Sequence, residues 1–331
     1  MSVPNREPDD LTIRRATAAD RAAILTLLAA SLGRDADDPR YEELYAWKHE
    51  RNAFGRSPTW VACDGDRIVG VRVLMPWEFT RGDATVRAVR AVDTATHPDY
   101  QGRGIFTRLT LHAIDELRGE GVDFVFNTPN DQSRPGYLKM GWQVVGRLPT
   151  SVRPVRMGAV PRIVSARVPA ERWSAETTAG DPAADVLADD AARAELLASL
   201  PTGLALRTNR TPAYLRWRYA SSLLGYRAIV GTRGLAGGVV LFRVRRRGPA
   251  REVALCDLLV PRGDPRVARR LVEARLHGAD ADYLIRLGGG VVGPGKMVRL
   301  PRQGPLLTWR AVTDPVLPHE WDLTLGDIEL F

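Results

Sequence analysis

Cysteine is nearly absent from this chain: two occur in 331 residues, Cys63 and Cys256, each inside an apolar, strand-like run. Without a CxxC pair or a His/Cys spacing of ligand type, neither a disulfide framework nor a structural zinc site is available, and no metal is expected. Long hydrophobic runs are missing too. No stretch of about 18 uncharged apolar residues occurs, and the N-terminal MSVPNREPDDL lacks the apolar core of a signal peptide. These absences predict a cytoplasmic, reducing location and no membrane partner. Neither a helix-turn-helix pattern nor aromatic residues interleaved with basic ones is present, which argues against a nucleic-acid partner.

Apolar residues make up 44% and charged residues 26% of the chain, the balance of a protein that buries a substantial core. A length of 331 residues exceeds the size at which single cores usually stop growing, roughly 100–200 residues, so two domains are expected. The formal charge of +8 favours anionic ligands without choosing among nucleic acid, membrane surface and phosphorylated cofactor. The one dense arginine cluster, Arg243, Arg245, Arg246, Arg247 and Arg251, surrounds Gly248-Pro249. It reads as a solvated hairpin tip or as an anion contact.

Leu11 to Arg14 reads as a strand. A helix follows, with Ile24, Leu27, Leu28 and Leu32 at helical spacing behind a capping-box pair, Thr17 and Asp20. A second helix is expected over 41–52, strands over 60–63 and 68–75, and a long β-branched strand over 86–96. Ile105, Leu109, Ala113 and Leu117 recur every four residues up to Gly119-Glu-Gly121 and predict a helix over 105–117. A strand over 122–127, a short helix over 134–140 and a strand over 142–147 come next. Residues 150–210 are irregular, with scattered prolines and one alanine-rich helix around 183–200, as in a connector. Helix 212–220, strands 226–230, 235–244 and 252–260, helix 266–279 and strand 283–287 then repeat the order of the first half without residue-level similarity. Gly288-Gly-Gly290 and Gly293-Pro-Gly295 read as loop. The expected division is 1–150, a connector at 151–201, and 202–331.

The strand ending at Thr96 runs into HPDYQGRGIF, His97 to Phe106. Gln101-Gly-Arg-Gly104 ahead of a helix aims unpaired backbone N–H groups, and the positive end of the helix dipole, at one point that suits a phosphate. Gly102 and Gly104 admit positive φ and carry no Cβ to hold a diphosphate away. A P-loop is excluded because Ile105-Phe106 stand where Lys-Ser/Thr is required. A dinucleotide fingerprint, Gly102-x-Gly104-x-x-Thr107 with Asp123 beyond it, fails on context. His97-Pro-Asp-Tyr100 separate the strand from the Gln101-Gly-Arg-Gly104 stretch, and Asp123 begins its strand instead of ending it.

Over residues 11 to about 149 the chain resembles the GCN5-related N-acetyltransferases (GNAT). The resemblance is carried by TIRRATAADRAAILTLL, by HPDYQGRGIF as the acyl-coenzyme A loop Gln/Arg-x-x-Gly-x-Gly/Ala, and by NTPNDQSRPGYLKMGW as the Asn…Tyr-x-x-x-Gly-Phe segment. Phe106 departs from the final Gly/Ala of the loop; inside the first helical turn, it reshapes the edge of the groove and leaves the glycine cradle intact. The resemblance implies an α/β (α+β) fold: a mixed, mostly antiparallel sheet splayed between strands four and five, flanked by helices, with acetyl-CoA or another acyl-CoA as co-substrate.

It also implies roles. Cofactor contacts fall on Thr94, Ala95 and Thr96 at the strand-four edge, on Gln101, Gly102, Arg103, Gly104, Ile105 and Phe106 of the loop, and on Asn130 and Ser133. A backbone N–H of the Asp93 to Thr96 edge serves the oxyanion. Tyr137 matches the tyrosine that donates to the departing thiolate, with core packing as the alternative. Model values of about 10 for a phenol and about 8.5 for a thiol make complete transfer uphill by roughly 2 kcal/mol, so a hydrogen-bond donor is expected in preference to a full acid. Arg103 either neutralises phosphate or stays in solvent, and Ser133 either orients Tyr137 or caps a helix. The amine must lose a proton. The base is open among Asp93, Glu78, His97, water and the terminal carboxylate of Phe331, the last used in the enhanced-intracellular-survival branch of the superfamily. Asp93 comes first because its strand borders the acyl position.

Asp257 to Arg266 lies where a second such domain would place its loop, but the loop glycines are missing. Residues 202–331 are therefore expected to be a degenerate GNAT-like domain walling the substrate cleft, with Trp217 and Tyr219 lining the cleft or packing. The expected activity is acyl transfer from coenzyme A, by direct attack without a covalent enzyme intermediate, to a primary amine of a small molecule. An amino sugar, antibiotic or polysaccharide precursor fits by fold-level analogy. A monomer or homodimer is expected. A non-catalytic acyl-CoA sensor or a basic nucleic-acid-binding module is the alternative.

Overall fold

The computed structural model describes residues 11–33, 35, 37–166, 168–273, 276–287, 297–300, 302–313 and 320–329. The glycine loops at 288–290 and 293–295 and the Phe331 carboxylate lie outside the described residues.

The capping box forms: Thr17 and Asp20 bond reciprocally, and α1 (Arg21–Leu32) follows with Ile24, Leu27 and Leu28 buried. Helix α2 (Arg40–Tyr45) continues as a wider turn through Glu50. The four-residue apolar spacing forms α3 (Ile105–Leu117), with Ile105, Leu109, Ala113 and Leu117 all buried. Helix α4 (Arg134–Lys139) follows. Later in the chain come α5 (Val160–Ser165), α6 (Ala183–Val186), α7 (Asp190–Ala198), α8 (Pro212–Tyr219), α9 (Pro265–Glu273) and α10 (Leu325–Ile328).

Two sheets organise these helices. The first has the order β1 (Thr12–Arg15), β2 (Thr59–Asp64), β3 (Arg67–Arg81), β4 (Ala84–Thr96), β5 (Phe124–Asn127), β15 (Leu306–Ala311), β6 (Gln143–Arg147), with β9 (Arg207–Thr208) also on β3. The second runs β14 (Val298–Leu300), β7 (Thr150–Pro154), β13 (Tyr283–Leu287), β12 (Ala250–Leu259), β11 (Gly234–Arg247), β10 (Arg227–Gly231), β8 (Asp181–Pro182). Each sheet has one parallel pair, β4 with β5 and β12 with β13, and is otherwise antiparallel. In both, a helix links the parallel strands, α3 in the first and α9 in the second. The mixed sheets flanked by helices are those expected from the sequence.

The two halves exchange strands. β15, from the end of the chain, lies between β5 and β6. β7, from the end of the first half, lies between β13 and β14. A division at 150 and 201 therefore does not follow the sheets: the connector opens inside β7, and 306–311 completes the first sheet. Nothing local marks β15, because its neighbours are distant in sequence and only the tertiary register pairs Thr308 with Asn127. The halves are also joined by a ring pair. Trp47 and Trp217 stack with centroids 5.1 Å apart, and each indole N–H donates to the other's carbonyl at 2.8 Å. Trp217 and Tyr219 thus pack in the core.

The arginine cluster departs most from expectation. Gly248-Pro249 does turn the β11–β12 hairpin, with Arg247 opposite Ala250, yet Arg243 and Arg245 are buried. Alternation along β11 carries both inward, where Glu329 accepts from Arg243 Nε at 3.0 Å and from Arg245 Nη1 at 3.1 Å. Arg218 and the Tyr226 hydroxyl also reach Glu329. Burial alone would push the Glu329 carboxyl up, but Arg243, Arg245 and Arg218 outweigh it and hold it at about 2.

Two predictions follow from this construction. A fragment of residues 1–150 lacks β15 and leaves β5 an open, apolar edge, so it should aggregate or lack a cooperative thermal transition in circular dichroism; a sharp melt would show that the first half closes alone. Glu329→Gln removes the anion shared by three buried arginines and should cost about 3–5 kcal/mol in urea unfolding at pH 7. Because the folded carboxyl titrates near 2 against an ordinary 4.5, its contribution is complete above 4.5 and disappears as pH falls toward 2. The gap between wild type and variant should narrow over that window.

Candidate active site

β3 and β4 pair from Ala84 to Thr96 with a single irregularity, whereas β4 and β5 pair only over Ala88–Arg90 and Phe124–Phe126. Beyond Arg90 the two strands part, and the 91–96 edge has no strand partner on that side among the described residues. Arg90, 1% exposed, sits at the split. Its guanidinium donates to Thr128 Oγ1 at 3.1 Å, just past β5, and to the carbonyls of Asp327 and Ile328. Burial pushes Arg90 down to about 9, with Asp327 opposing, so it remains a cation at neutral pH.

The split opens a cavity of about 800 Å³. One side is the β4 edge from Ala91 to Thr94; a second is Asn127 to Tyr137 with Phe106; the third combines Lys48 with Glu171, Arg172, Arg243 and Arg245. The glycine loop adjoins it at the start of α3. Gly102 (φ 77) and Gly104 (φ 70) are both left-handed, and a Cβ built on either meets nothing within 4 Å. No hydrogen bond from the amides of residues 102–106 to any described residue is found. That combination of open space and unspent N–H donors fits a diphosphate.

The sequence-derived residues divide between the two regions. Asp93, Thr94, Phe106, Asn130, Ser133 and Tyr137 line the cavity. Ala95 turns to the opposite face and packs with Ile24 and Leu28 of α1, while Thr94 Oγ1 donates to the Val71 carbonyl. Thr96 is the last residue of β4. Gln101 and both glycines are exposed. Ile105 is buried so tightly over β3 that a Cβ on Gly70 would lie 2.6 Å from its Cγ2. Arg103 donates to the Asp99 carbonyl and lies over the Tyr100 ring. Asn130 Oδ1 accepts from the Ser133 N–H and hydroxyl, both at 2.9 Å, a local turn. Of the side chains considered as base, Glu78 is engaged with Asn209 and His97 with Arg67 and the Asp99 amide. Asp93 alone among these lines the cavity.

Asp93 is the extra residue of the β-bulge, between the Val92–Val73 and Thr94–Arg72 pairs, and has a φ of 28. Such a conformation in a residue with a Cβ costs on the order of 1–3 kcal/mol and needs external support. Lys48 Nζ and His49 Nε2, at 2.8 Å for the latter, both contact its Oδ2, and His49 Nδ1 bonds Ser57. Tyr137 is 3% exposed. Its hydroxyl accepts from Arg72 Nη1 at 2.9 Å, which leaves the phenolic proton free to be donated elsewhere. Phe106 meets the Tyr137 ring edge-on at 5.3 Å, so the residue that departs from the loop motif packs the tyrosine in place.

Arg72, Arg90, Lys48 and His49 escaped the sequence analysis. A signal existed for the arginines: each interrupts an apolar strand, in GVRVL and AVRAV, and a charge in a buried strand needs a partner. Nothing local marks Lys48 and His49, which meet Asp93 only through the fold.

Residues 12–145 match the acetyltransferase (GNAT) domain family model. No curated protein matches the chain in sequence. A GCN5-related N-acetyltransferase from Anabaena variabilis superposes with a TM-score of 0.62 at 14% identity, covering 92% of this chain and 73% of that one. A GCN5-related N-acetyltransferase from Kribbella flavida gives 0.59 at 17%, covering 92% and 71%. Eis1 from Mycobacterium abscessus gives 0.56 at 16%, covering 91% and 73%. At such identities the likeness establishes the fold. Residues 12–145 thus match the GNAT domain family, and the chain as a whole has the mixed α/β fold of these larger GNAT proteins.

Proposed function

We propose that the protein transfers an acyl group, acetyl in the first instance, from an acyl-CoA to a primary amine of a small molecule, by direct attack in the cavity between β4 and β5. The observation that supports this best is the run of unspent amides at 102–106 beside a strand edge that has lost its neighbour. The amides receive the diphosphate, and Arg103 adds charge nearby. The edge beyond Arg90 pairs with the thioester arm, and one of its N–H groups stabilises the tetrahedral oxyanion. Asn130 and Ser133 border that arm.

Asp93 takes the proton from the attacking amine, directly or through water. Lys48 and His49 hold its carboxylate where the bulge places it. Tyr137 donates a hydrogen bond to the departing sulfur while Arg72 occupies a lone pair of its oxygen and so directs the proton away from itself. No covalent enzyme intermediate is required.

Acetyl-CoA should raise the melting temperature of the protein by several degrees, and Gly104→Glu, which puts bulk and negative charge in the cradle, should abolish that rise while the unliganded protein still melts cooperatively. A ligand shift that survives the substitution would remove the loop from the site. Tyr137→Phe should lower kcat by about 100-fold and leave the acetyl-CoA shift in place, as read by thiol release with an amine panel. Absence of thiol release with every amine, despite a normal shift, would indicate an acyl-CoA sensor.

A further inference from the structure

Asp93 faces one cavity and its support faces another. Asp93 and Lys48 line the cavity between β4 and β5. His49 and Ser57 line a second one, of about 650 Å³, bounded by Thr59 at the start of β2 and by Pro76 to Glu78 of β3. The two linings have no described residue in common. A run of hydrogen bonds crosses the wall between them: His49 Nε2 meets Asp93 Oδ2 at 2.8 Å, and His49 Nδ1 meets Ser57 Oγ at 2.9 Å. Within the wall these groups are shut off from solvent, with the Asp93 and His49 side chains 8% and 2% exposed and Ser57 buried. The far cavity is open: Gly55, Arg56 and Arg87 of its lining are exposed, and Glu50, Glu78 and Glu120 add polar surface to it. Holding a carboxylate in place is already served by Lys48 Nζ on the same Oδ2. An imidazole and a hydroxyl in series add something else, since each both accepts and donates a proton.

We propose that His49 and Ser57 are the exit path for the proton that Asp93 takes from the acceptor amine. The inference rests on the acyl-transfer reading above, with Asp93 as its base. Transfer to an alkylammonium yields an amide, a thiol and one proton. With coenzyme and acceptor filling the first cavity, that proton has to leave Asp93 by another side before the next turnover. On the Nδ1–H tautomer of His49, protonated Asp93 gives its proton from Oδ2 to Nε2, Nδ1 gives its own to Ser57 Oγ, and the Ser57 hydroxyl proton passes to water in the second cavity. Only bonds to hydrogen form and break, and a half-turn of the imidazole with a rotation of the hydroxyl restores the starting arrangement. Lys48 favours the charged form of Asp93 and so drives the proton onward. His49 and Ser57 act through Asp93, without touching the substrate.

The test uses the full chain with saturating acetyl-CoA and the best amine of the panel, and records thiol release over a series of concentrations of MES, a tertiary amine that is not acylated. The wild-type rate should be indifferent to the buffer. Ser57→Ala removes the last hydroxyl and leaves the contact of His49 with Asp93; it should lower kcat by roughly 10-fold or more, with KM for acetyl-CoA and the acetyl-CoA thermal shift unchanged. Rising MES should restore much of that loss, because the buffer takes the proton in place of the hydroxyl. Ser57→Thr, which keeps the hydroxyl, should retain the wild-type rate. His49→Gln keeps a donor for Asp93 and passes no proton, so it should lose kcat as well, and the double variant should lose no more than the worse single one. A Ser57→Ala variant with wild-type kcat, or with a loss that the buffer does not relieve, would overturn the relay and leave Asp93 standing as the base. An Asp93→Asn variant as active as wild type would overturn the base and the relay together, and absence of thiol release by wild type with every amine would overturn the acyl-transfer reading itself.

Discussion

The site depends on one side chain at the point where two parallel strands separate. Arg90 is the last residue of β4 to pair with β5, and its buried guanidinium reaches both the chain leaving β5, at Thr128, and the carbonyls of Asp327 and Ile328. A parallel pair would ordinarily continue, since each unmade ladder bond leaves polar backbone to be satisfied. Here the carbonyls of Asp327 and Ile328 are bound to the same cation, which ties that segment to the point of separation. The split is therefore fixed by residues far apart in the chain.

The same segment links the split to β11. Asp327 and Ile328 bond Arg90, and Glu329, the next residue, is the anion of the buried arginine cluster on β11. Buried ion clusters are weak evidence for stability, but what this one joins is plain: Glu329 ties α8, through Arg218, to β11, through Arg243 and Arg245. The strand exchange of β7 and β15 and the reciprocal indole bonds of Trp47 and Trp217 likewise hold the two sheets in fixed relation.

Much of the first half was legible. The four-residue spacing in α3, the Thr17/Asp20 capping box and the Gly102/Gly104 loop all express local rules, in which periodicity, side-chain capping or tolerance of positive φ acts within a few residues. The cofactor edge was placed on β4, although Ala95 faces the other side; the bulge at Asp93 shifts the alternation by one, and a bulge has no reliable mark in a single sequence. The arginine cluster misled for a related reason. Gly-Pro signals a turn, which forms, but turn chemistry says nothing about what the flanking strands pack against.

By itself the sequence determined the local elements, the left-handed glycines of the loop and the position of Tyr137 on its short helix, because these follow from interactions between residues near in the chain. The tertiary structure alone decided which strand lies beside β5, that Asp93 meets Lys48 and His49, and that arginines of β11 converge on Glu329. Those contacts join residues tens to hundreds of positions apart, and their energies come from burial and charge compensation that exist only once the two sheets have packed.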